Sequence, residues 1–250
     1  MPELVEVERA RAVLEAWAVG RTVAAVEDHD PYVCRPHAPG DIDAALRDLT
    51  VTAARRRGKS MWLELAPGGV TLGLHLGMAG SIKVNEPVPD RPWDRFAITF
   101  TDGTRIALRD KRRLSRAVLE PGLSRVGPDA AEIGRDAFRA AAGTGRAPVK
   151  ARLLDQRRIA GVGNLLADEA LWQARIAPLR PADELTADDL DRLRRALRAA
   201  IRSATRLGGV HTGRLIPHRR RGGSCPHCGE PLARGVVGGR TTWWCPAEQP

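Results

Sequence analysis

The sequence changes its pattern near residue 120, and this change limits the folds that the chain can adopt. Before it, short β-rich runs follow one another: residues 21–27, 50–56, 60–66, 70–76, 81–85, 95–101, 104–109 and 116–119. Turn residues separate several of these runs, and short strands at this spacing are typical of an antiparallel sandwich or barrel. One helix is predicted ahead of them, over residues 3–19, because apolar side chains recur there at helical spacing until Gly20.

After residue 120 the pattern is helical, and it then becomes rich in glycine and cysteine. Helices are predicted over residues 135–142, 147–159, 165–176 and 186–207. The predicted fold is therefore α+β and multidomain. An N-terminal antiparallel β-sandwich flanked by helices covers residues 1–120, a helical domain covers 121–221, and a zinc-finger-like β-hairpin covers 222–250. Residues 87–92 are predicted to be a loop, because they contain three prolines.

The charge balance indicates a polyanionic partner. The chain has 40 Lys and Arg residues against 30 Asp and Glu residues, which gives a formal net charge of +10. This balance favours nucleic acid ahead of a membrane surface, although an arginine-rich proteome is an alternative explanation. No apolar run reaches the ~18 residues that a membrane span requires. The N-terminus also lacks the basic and apolar regions of a signal peptide, so we expect a cytoplasmic protein with no membrane partner.

The first residues carry the most specific chemistry. If Met1 is removed, Pro2 has a free secondary amine, and α-amino groups titrate near pH ~8. Such an amine can attack a sugar C1′ carbon and leave an iminium, while Glu3 and Glu6 can move protons beside it. The alternative is purely structural, since proline after methionine is common and acidic residues suit the first turn of any helix.

Three internal segments have features that suit nucleic-acid contact. Lys59 follows three arginines at a turn between strands, where a solvated hairpin tip is the alternative. Met78 lies between glycines on a turn, from which it can wedge into a base stack or pack in the core. A basic loop with an apolar tip follows at residues 110–114, which include Arg112 and Leu114.

The turn Gly161-Val162-Gly163-Asn164 joins two predicted helices. The turn leaves several backbone N–H groups at a helix start, which is a typical anion site, and Asn164 adds a side-chain donor. A structural helical hairpin is the alternative.

The C-terminal segment has a partial zinc-ribbon pattern. Cys225 and Cys228 form a C-x-x-C knuckle, and Cys245 begins a second one in which Glu248 occupies the place of the fourth cysteine. A zinc site with three cysteines and one glutamate is predicted. A carboxylate oxygen is a harder ligand than a thiolate, so this set suits zinc less well than four thiolates do. Either of two nearby histidines is an alternative fourth ligand: His218 and His227. A metal-free hairpin is a further alternative.

Together these segments resemble the formamidopyrimidine-DNA glycosylase / endonuclease VIII family over essentially the whole chain. The family begins Pro-Glu-Leu-Pro-Glu-Val-Glu, and this chain has Pro2-Glu3-Leu4-Val5-Glu6-Val7-Glu8. The resemblance implies that residues 121–221 form a helix–two-turn–helix DNA-binding domain. It also implies DNA-contacting roles: Lys59 as the hairpin lysine, Met78, Arg112 and Leu114 as void-filling residues, Asn164 in the helix–two-turn–helix motif, and Arg240 as the phosphate-binding arginine of the finger.

The resemblance implies a bifunctional DNA glycosylase and AP lyase of base excision repair. It would remove oxidised bases through a Schiff base on Pro2 and cleave the strand by elimination, with Glu3, Glu6 and Lys59 as the other catalytic residues. The expected partner is damaged double-stranded DNA, bound by a monomer at the bacterial nucleoid. The alternatives are a glycosylase for alkylated or bulky lesions, a catalytically silent damaged-DNA-binding relative, and a ribosomal or transcriptional zinc-ribbon protein.

This sequence departs from the family pattern at four places. Val5 replaces the second family proline, Leu114 replaces a typical phenylalanine, and Glu248 replaces the fourth cysteine. Residues 208–221 are also shorter than the 8-oxoguanine-capping loop of the formamidopyrimidine branch. Because of these departures, the identity of the excised base, a purine or a pyrimidine, stays open in the prediction. The predicted role of Pro2 is unchanged.

Overall fold

The computed structural model describes residues 2–86 and 92–250 and divides them into two compact units. The first unit contains Pro2 and residues 6–124, and the second contains residues 3–5 and 125–250. The predicted boundary at residue 120 lies close to this division. The separation of a finger domain from the helical domain at residue 221 stays a prediction. The loop predicted at 87–92 lies outside the described residues, apart from Pro92.

The first unit is a β-sandwich with two helices. Its elements are α1 (Leu4–Ala18, of which the first two residues belong to the second unit), β1 (Val23–Glu27), α2 (Asp41–Leu46), β2 (Thr50–Arg57), β3 (Ser60–Ala66), β4 (Thr71–His75), β5 (Ser81–Val84), β6 (Asp94–Phe100), β7 (Arg105–Arg109) and β8 (Arg116–Leu119). All eight strands predicted from the sequence are present. They form two antiparallel four-stranded sheets, in the orders β1-β6-β7-β5 and β2-β3-β4-β8.

Both sheets bury alternate residues in one apolar core. Strand β3 alternates throughout, with Leu63 and Leu65 fully buried and Glu64 between them more exposed. Phe96, Ile98 and Phe100 of the other sheet belong to the same core, together with the apolar face of α1. This is the packing of a sandwich, in which the inner faces of two sheets share one core. The predicted antiparallel β-sandwich is confirmed.

Helix α2 was not predicted from the sequence, and a distant carboxylate explains why it forms. Its six residues are too few to show a helical period. Asp28 is 1% exposed, and its carboxylate accepts hydrogen bonds from the N–H groups of Gly40 (2.8 Å), Ile42 (2.9 Å) and Asp43 (3.2 Å). Because the first N–H groups of a helix have no partners within the helix, this carboxylate stabilises the start of α2.

The second unit contains four helices and a β-hairpin. The elements are α3 (Arg135–Ala142), α4 (Val149–Leu154), α5 (Asn164–Gln173), α6 (Ala187–Leu207), β9 (Ala233–Val237) and β10 (Arg240–Trp244), with β9 and β10 antiparallel. Short 3₁₀ turns lie between them at Ala182–Glu184, Val210–Thr212 and Ile216–His218. Helix α6 begins with a capping box between Thr186 and Asp189 and ends at Gly208, which has a φ of 96°. Within the described residues, no helix is both long and apolar enough to cross a membrane.

The helix predicted over residues 147–159 is wrong in its length, because α4 already ends at Leu154. Asp155 ends it. The Asp155 carboxylate accepts a hydrogen bond from the N–H of Arg157 at 3.0 Å, and its carbonyl accepts from Arg158 and Ile159 at 2.9 and 3.0 Å. An aspartate that binds its own neighbouring backbone competes with helix continuation.

We expect Asp28→Asn to lower the free energy of unfolding by about 1–3 kcal/mol, since an amide NH₂ replaces an acceptor for buried N–H groups. The measurement is urea denaturation followed by circular dichroism. Asp183→Asn is the control, because Asp183 is exposed, and its effect should stay within about 0.5 kcal/mol. Equal effects of the two substitutions would show that Asp28 does not support α2.

Candidate active site and nucleic-acid contacts

Glu3 binds the N-terminus of helix α5. Its side chain is 2% exposed, and its Oε1 and Oε2 accept hydrogen bonds from the N–H groups of Leu165 (2.8 Å) and Leu166 (3.0 Å). The positive end of the helix dipole favours a carboxylate at this place. The sequence predicted free N–H groups here for an external anion. That prediction is corrected, because the carboxylate of Glu3 already takes two of them.

Gly163 leaves the space that Glu3 occupies. A Cβ atom at this position would lie 2.2 Å from Cδ of Glu3, far inside van der Waals contact. The neighbouring chain segment is held as well, since the N–H of Leu4 donates to the carbonyl of Gly161 at 3.1 Å. Gly163 of the Gly-Val-Gly-Asn turn is therefore needed to make room for the side chain of Glu3.

Pro2 and Glu6 line one cavity of about 350 Å³ in the first unit. Its other lining residues come from α1 and from the segment around β5: Arg9, Ala10, Val13, Leu76, Gly80, Ser81 and Ile82. Mostly apolar walls with a few polar groups are typical of small-ligand sites of this size. The structure thus brings together the predicted nucleophile and one of the two predicted carboxylates.

Lys59 lies half-buried in the β2–β3 turn, close to His75. The pKa of His75 is lowered, first by desolvation of the imidazole and then by the cations of Lys59 and Arg116. Nδ1 of His75 accepts a hydrogen bond from the N–H of Gly77 at 2.9 Å. A neutral imidazole with an occupied Nδ1 presents Nε2–H as a donor. Sequence reasoning did not select His75, although it ends β4 two residues before the Gly-Met-Ala-Gly turn.

The turn of Met78 packs on the backbone of Leu114. Gly77 has a φ of 60°, and a Cβ atom there would lie 2.4 Å from the carbonyl group of Leu114. The side chains of Met78 and Leu114 are 42% and 44% exposed. Two large apolar side chains exposed in neighbouring segments are typical of an interaction surface. The two predicted apolar wedge residues therefore lie on neighbouring segments.

A buried carboxylate shapes the loop that carries Arg112 and Leu114. Asp110 is 1% exposed and accepts hydrogen bonds from the N–H groups of Arg112 (2.9 Å), Leu114 (2.7 Å) and Ser115 (2.7 Å). Burial alone would raise the pKa of Asp110, but the N–H groups of Arg112, Ser115 and Leu114 outweigh it and lower the pKa. The loop thus holds Arg112 and Leu114 in exposed positions.

In the second unit, the structure brings Asn164 next to the hairpin that carries Arg240. Nδ2 of Asn164 donates to the carbonyl of Thr241 at 2.9 Å. Gly238 and Gly239 have φ values of 57° and 71°, as a two-residue hairpin turn requires, and Arg240 follows them with an exposed side chain. Asn164 and Arg240, which are distant in sequence, therefore lie on one surface of this unit.

A buried ion pair ties the helices of the second unit to the same hairpin. Nζ of Lys150 lies 2.6 Å from Oδ1 of Asp168 and donates to Oγ1 of Thr242 at 2.7 Å. Nε of Arg219 donates to the other oxygen of Asp168 at 2.8 Å. No motif indicated this pair, because a single lysine and a single aspartate 18 positions apart have no distinctive spacing.

Glu169 holds the segment of residues 208–221. Its side chain is 3% exposed and accepts hydrogen bonds from the N–H groups of Arg214 (3.1 Å) and Leu215 (2.9 Å). A Cβ atom at Gly213 would lie 2.7 Å from Oε2 of Glu169. The segment that was predicted to be a shortened loop is therefore pinned to helix α5.

Three of the four predicted metal ligands form a cluster. The Sγ atoms of Cys225, Cys228 and Cys245 lie within 4.8 Å of one another, which suits thiolates around a tetrahedral zinc ion, where sulfur atoms are about 3.8 Å apart. Glu248 does not join the cluster, since its Oε2 lies 3.0 Å from Nε of Arg175. The three cysteines fit a metal ion, and the ligand role of Glu248 stays a prediction.

Comparison with known proteins agrees with this geometry. The family model of the formamidopyrimidine-DNA glycosylase N-terminal domain matches residues 1–117, and that of the formamidopyrimidine-DNA glycosylase H2TH domain matches residues 126–214. The formamidopyrimidine-DNA glycosylase of Corynebacterium aurimucosum is 38% identical over 277 aligned positions, which cover 100% of this chain and 96% of that protein. Because 277 positions exceed the 250 residues of this chain, that relative has segments that this chain lacks.

Two solved structures are similar over nearly the full length. The crystal structure of the MutM (Fpg) protein of Thermus thermophilus has a TM-score of 0.83 and 35% identity, and the match covers 99% of this chain and 98% of that one. The complex of the Lactococcus lactis Fpg with DNA containing an abasic site has a TM-score of 0.85 and 25% identity, with 99% of each chain covered.

Matches of this extent place the chain among the DNA glycosylases of base excision repair. Within that class, it belongs to the formamidopyrimidine-DNA glycosylase family. The resemblance inferred from the motifs is confirmed, as is the helix–two-turn–helix domain.

We expect Asp110→Asn to destabilise the first unit by about 1–3 kcal/mol near neutral pH, because an NH₂ group would face buried N–H donors. The pKa of Asp110 is lowered in the folded state, so its stabilising effect is present above the unfolded pKa of about 3.9 and is lost as the pH falls through the folded value. Urea denaturation of both proteins at several pH values measures this. A difference that does not shrink in acid would show that the charge of Asp110 is unimportant.

Proposed function

We propose that this chain is a bifunctional DNA glycosylase and AP lyase that acts on damaged double-stranded DNA. The observation that carries the proposal is the cavity shared by Pro2 and Glu6, with Glu3 held on the N-terminus of α5 one residue after Pro2. Membership of the family and the abasic-site DNA bound by the Lactococcus lactis relative support a DNA substrate.

In the proposed first step, the nitrogen of Pro2 attacks C1′ after removal of Met1. The bond from C1′ to the base breaks, and its electron pair leaves with the base, which takes a proton from solvent water. Glu3 takes the proton that the amine loses and delivers it to O4′, which opens the sugar ring and gives an iminium between Pro2 and C1′. The hydrogen bonds from Leu165 and Leu166 hold the Glu3 carboxylate for this transfer.

The iminium makes the C2′ proton acidic, so a base removes it and the bond from C3′ to the phosphate oxygen breaks. The 3′ phosphate leaves with that electron pair, and water then hydrolyses the iminium to release Pro2. We assign Glu6 to proton transfer in the cavity. The apolar walls of the cavity receive the extruded base, since chemistry at C1′ requires the damaged nucleotide to leave the stack.

The proposed DNA contacts use the exposed residues of each unit. In the first unit, Lys59 binds a phosphate, while Met78, Arg112 and Leu114 fill the gap that the extruded nucleotide leaves. In the second unit, Asn164 and Arg240 bind phosphates.

Oxidised bases, purine or pyrimidine, are the proposed substrates. The protein acts as a monomer in the cytoplasm, where a bacterial chromosome is found.

We also propose that zinc binds to Cys225, Cys228 and Cys245, with Glu248 as the fourth ligand once it leaves Arg175. A bound zinc ion would supply a structural cross-link within the finger and no catalytic chemistry. The β9–β10 hairpin and its Arg240 belong to the same C-terminal segment.

A chain with one additional residue before Pro2 tests the mechanism, because this change turns the amine into an amide and leaves every side chain intact. We expect at least about a 1000-fold loss of excision and no borohydride-trapped adduct on an abasic duplex. DNA binding should stay within a factor of about three of the native chain, whose free Pro2 is confirmed by mass spectrometry. Trapping by the extended chain at the native rate would eliminate Pro2 as the nucleophile.

Elemental analysis tests the zinc proposal. We expect about one zinc ion per chain, a loss of most of it in Cys228→Ser, and a partial loss in Glu248→Gln. Cys34→Ala is the matched control, because burial and the nearby Asp28 and Asp30 raise the pKa of this thiol to about 12. Native protein with well under one equivalent would contradict the proposal. Unchanged zinc in Glu248→Gln would remove Glu248 from the ligand set.

A further inference from the structure

The first unit has a second cavity, of about 410 Å³, which shares no lining residue with the Pro2 cavity. We call it the arginine cavity and define it by its lining residues: Tyr32, Arg35, Arg112, Arg113, Leu114 and Arg116. Four guanidinium groups and one phenol ring therefore surround one open space, and its described lining contains no carboxylate.

The fold holds these cations close together. Nη1 of Arg116 donates to the carbonyl of Tyr32 at 3.2 Å, and Nε of Arg113 lies 2.9 Å from Oδ2 of Asp30, outside the lining. The pKa of Arg116 is lowered, first by desolvation and then by the charge of Arg35. Like charges that repel each other in the unbound protein are relieved by an anion, so this arrangement favours a phosphate.

The cavity also presents an aromatic surface. The side chain of Tyr32 is 56% exposed, and the guanidinium of Arg113 lies 5.5 Å from the centre of its ring. An exposed ring beside several cations is the combination that binds nucleotides, because the ring stacks on a base while the cations bind the phosphates. A simple anion needs only the cations, so the ring points to a nucleotide.

Two lining residues identify the strand. Arg112 and Leu114 line the arginine cavity, and the proposed function places them in the gap left by the extruded nucleotide. Side chains in that gap face the base of the opposite strand. Because Arg112 and Leu114 also line the arginine cavity, the strand that reaches this cavity is the undamaged one.

We propose that the arginine cavity binds a nucleotide of the undamaged DNA strand, with its phosphate on Arg35 and Arg116 and its base or sugar against Tyr32. The inference rests on the proposed function, because Arg112 and Leu114 orient the duplex. It assigns to this surface a contact with the strand on which no bond is broken.

The test compares two DNA molecules that carry the same abasic-site analogue. One is an intact duplex, and the other lacks three nucleotides of the undamaged strand opposite the lesion. On the intact duplex, we expect Tyr32→Ala to weaken binding about tenfold and Arg35→Ala to reduce the slope of log K against log salt by about 0.9. On the gapped duplex, both variants should bind like the native chain. Fluorescence anisotropy measures the affinities.

Two controls separate these contacts from general effects. Tyr32→Phe keeps the ring and should bind the intact duplex like the native chain. Arg47→Ala removes another arginine of the first unit, one paired with Asp43, and should leave the salt slope unchanged. Native affinity of Tyr32→Ala and Arg35→Ala on the intact duplex would overturn the inference. Equal losses of affinity on both DNA molecules would also overturn it, because the cavity would then contact DNA other than the three nucleotides that the gapped duplex lacks.

Borohydride trapping on the same intact duplex, with a true abasic site, keeps the two proposals apart. If the native chain is trapped at Pro2 but the variants bind normally, the proposed function stands and the arginine cavity does not bind the strand. If the native chain is not trapped and the variants lose affinity only on the intact duplex, the cavity binds the undamaged strand and the lyase mechanism is wrong.

Discussion

The carboxylate of Glu3 on the N-terminus of α5 is the interaction on which the proposed chemistry depends. Chain termini are usually poorly ordered, yet Pro2 is one peptide bond from a buried side chain with two backbone N–H partners. The same contact satisfies two N–H groups of α5 and orients the carboxylate. Glu3 therefore stabilises the start of α5 in addition to the proton transfer that we propose for it, and a substitution of Glu3 is expected to affect both.

Buried carboxylates serve the same purpose elsewhere in the chain. Asp28 supports α2, Asp110 shapes the loop of Arg112 and Leu114, and Glu169 holds the segment of residues 208–221. Loops have few backbone hydrogen-bond partners of their own, so a buried carboxylate that accepts from their N–H groups orders them. Because these acidic side chains are buried, fewer carboxylates lie beside the arginines on the surface. The exposed surface is therefore more basic than the composition alone indicates.

Much of the architecture was predictable because it is encoded locally. The alternation in β3 and the capping box of α6 lie within a few residues, and both elements were predicted almost to their ends. Helix 147–159 was predicted too long because the side chain of Asp155 competes with the backbone, which periodicity does not register. Among the site residues, Cys225, Cys228 and Cys245 cluster as predicted, whereas Glu248 pairs with Arg175, a partner that spacing could not indicate.

The sequence by itself determined the class of fold and the family, because strand alternation, helical period and ordered motifs all depend on neighbouring residues. Only the tertiary structure decided which groups meet. Glu3 and Leu165 are separated by 162 positions, and no local pattern relates a carboxylate to a helix start at that distance. The arginine cavity likewise joins residues 32–35 to residues 112–116. Such pairs form because each buried polar group must find a partner, and the folded chain alone determines which partner is within reach.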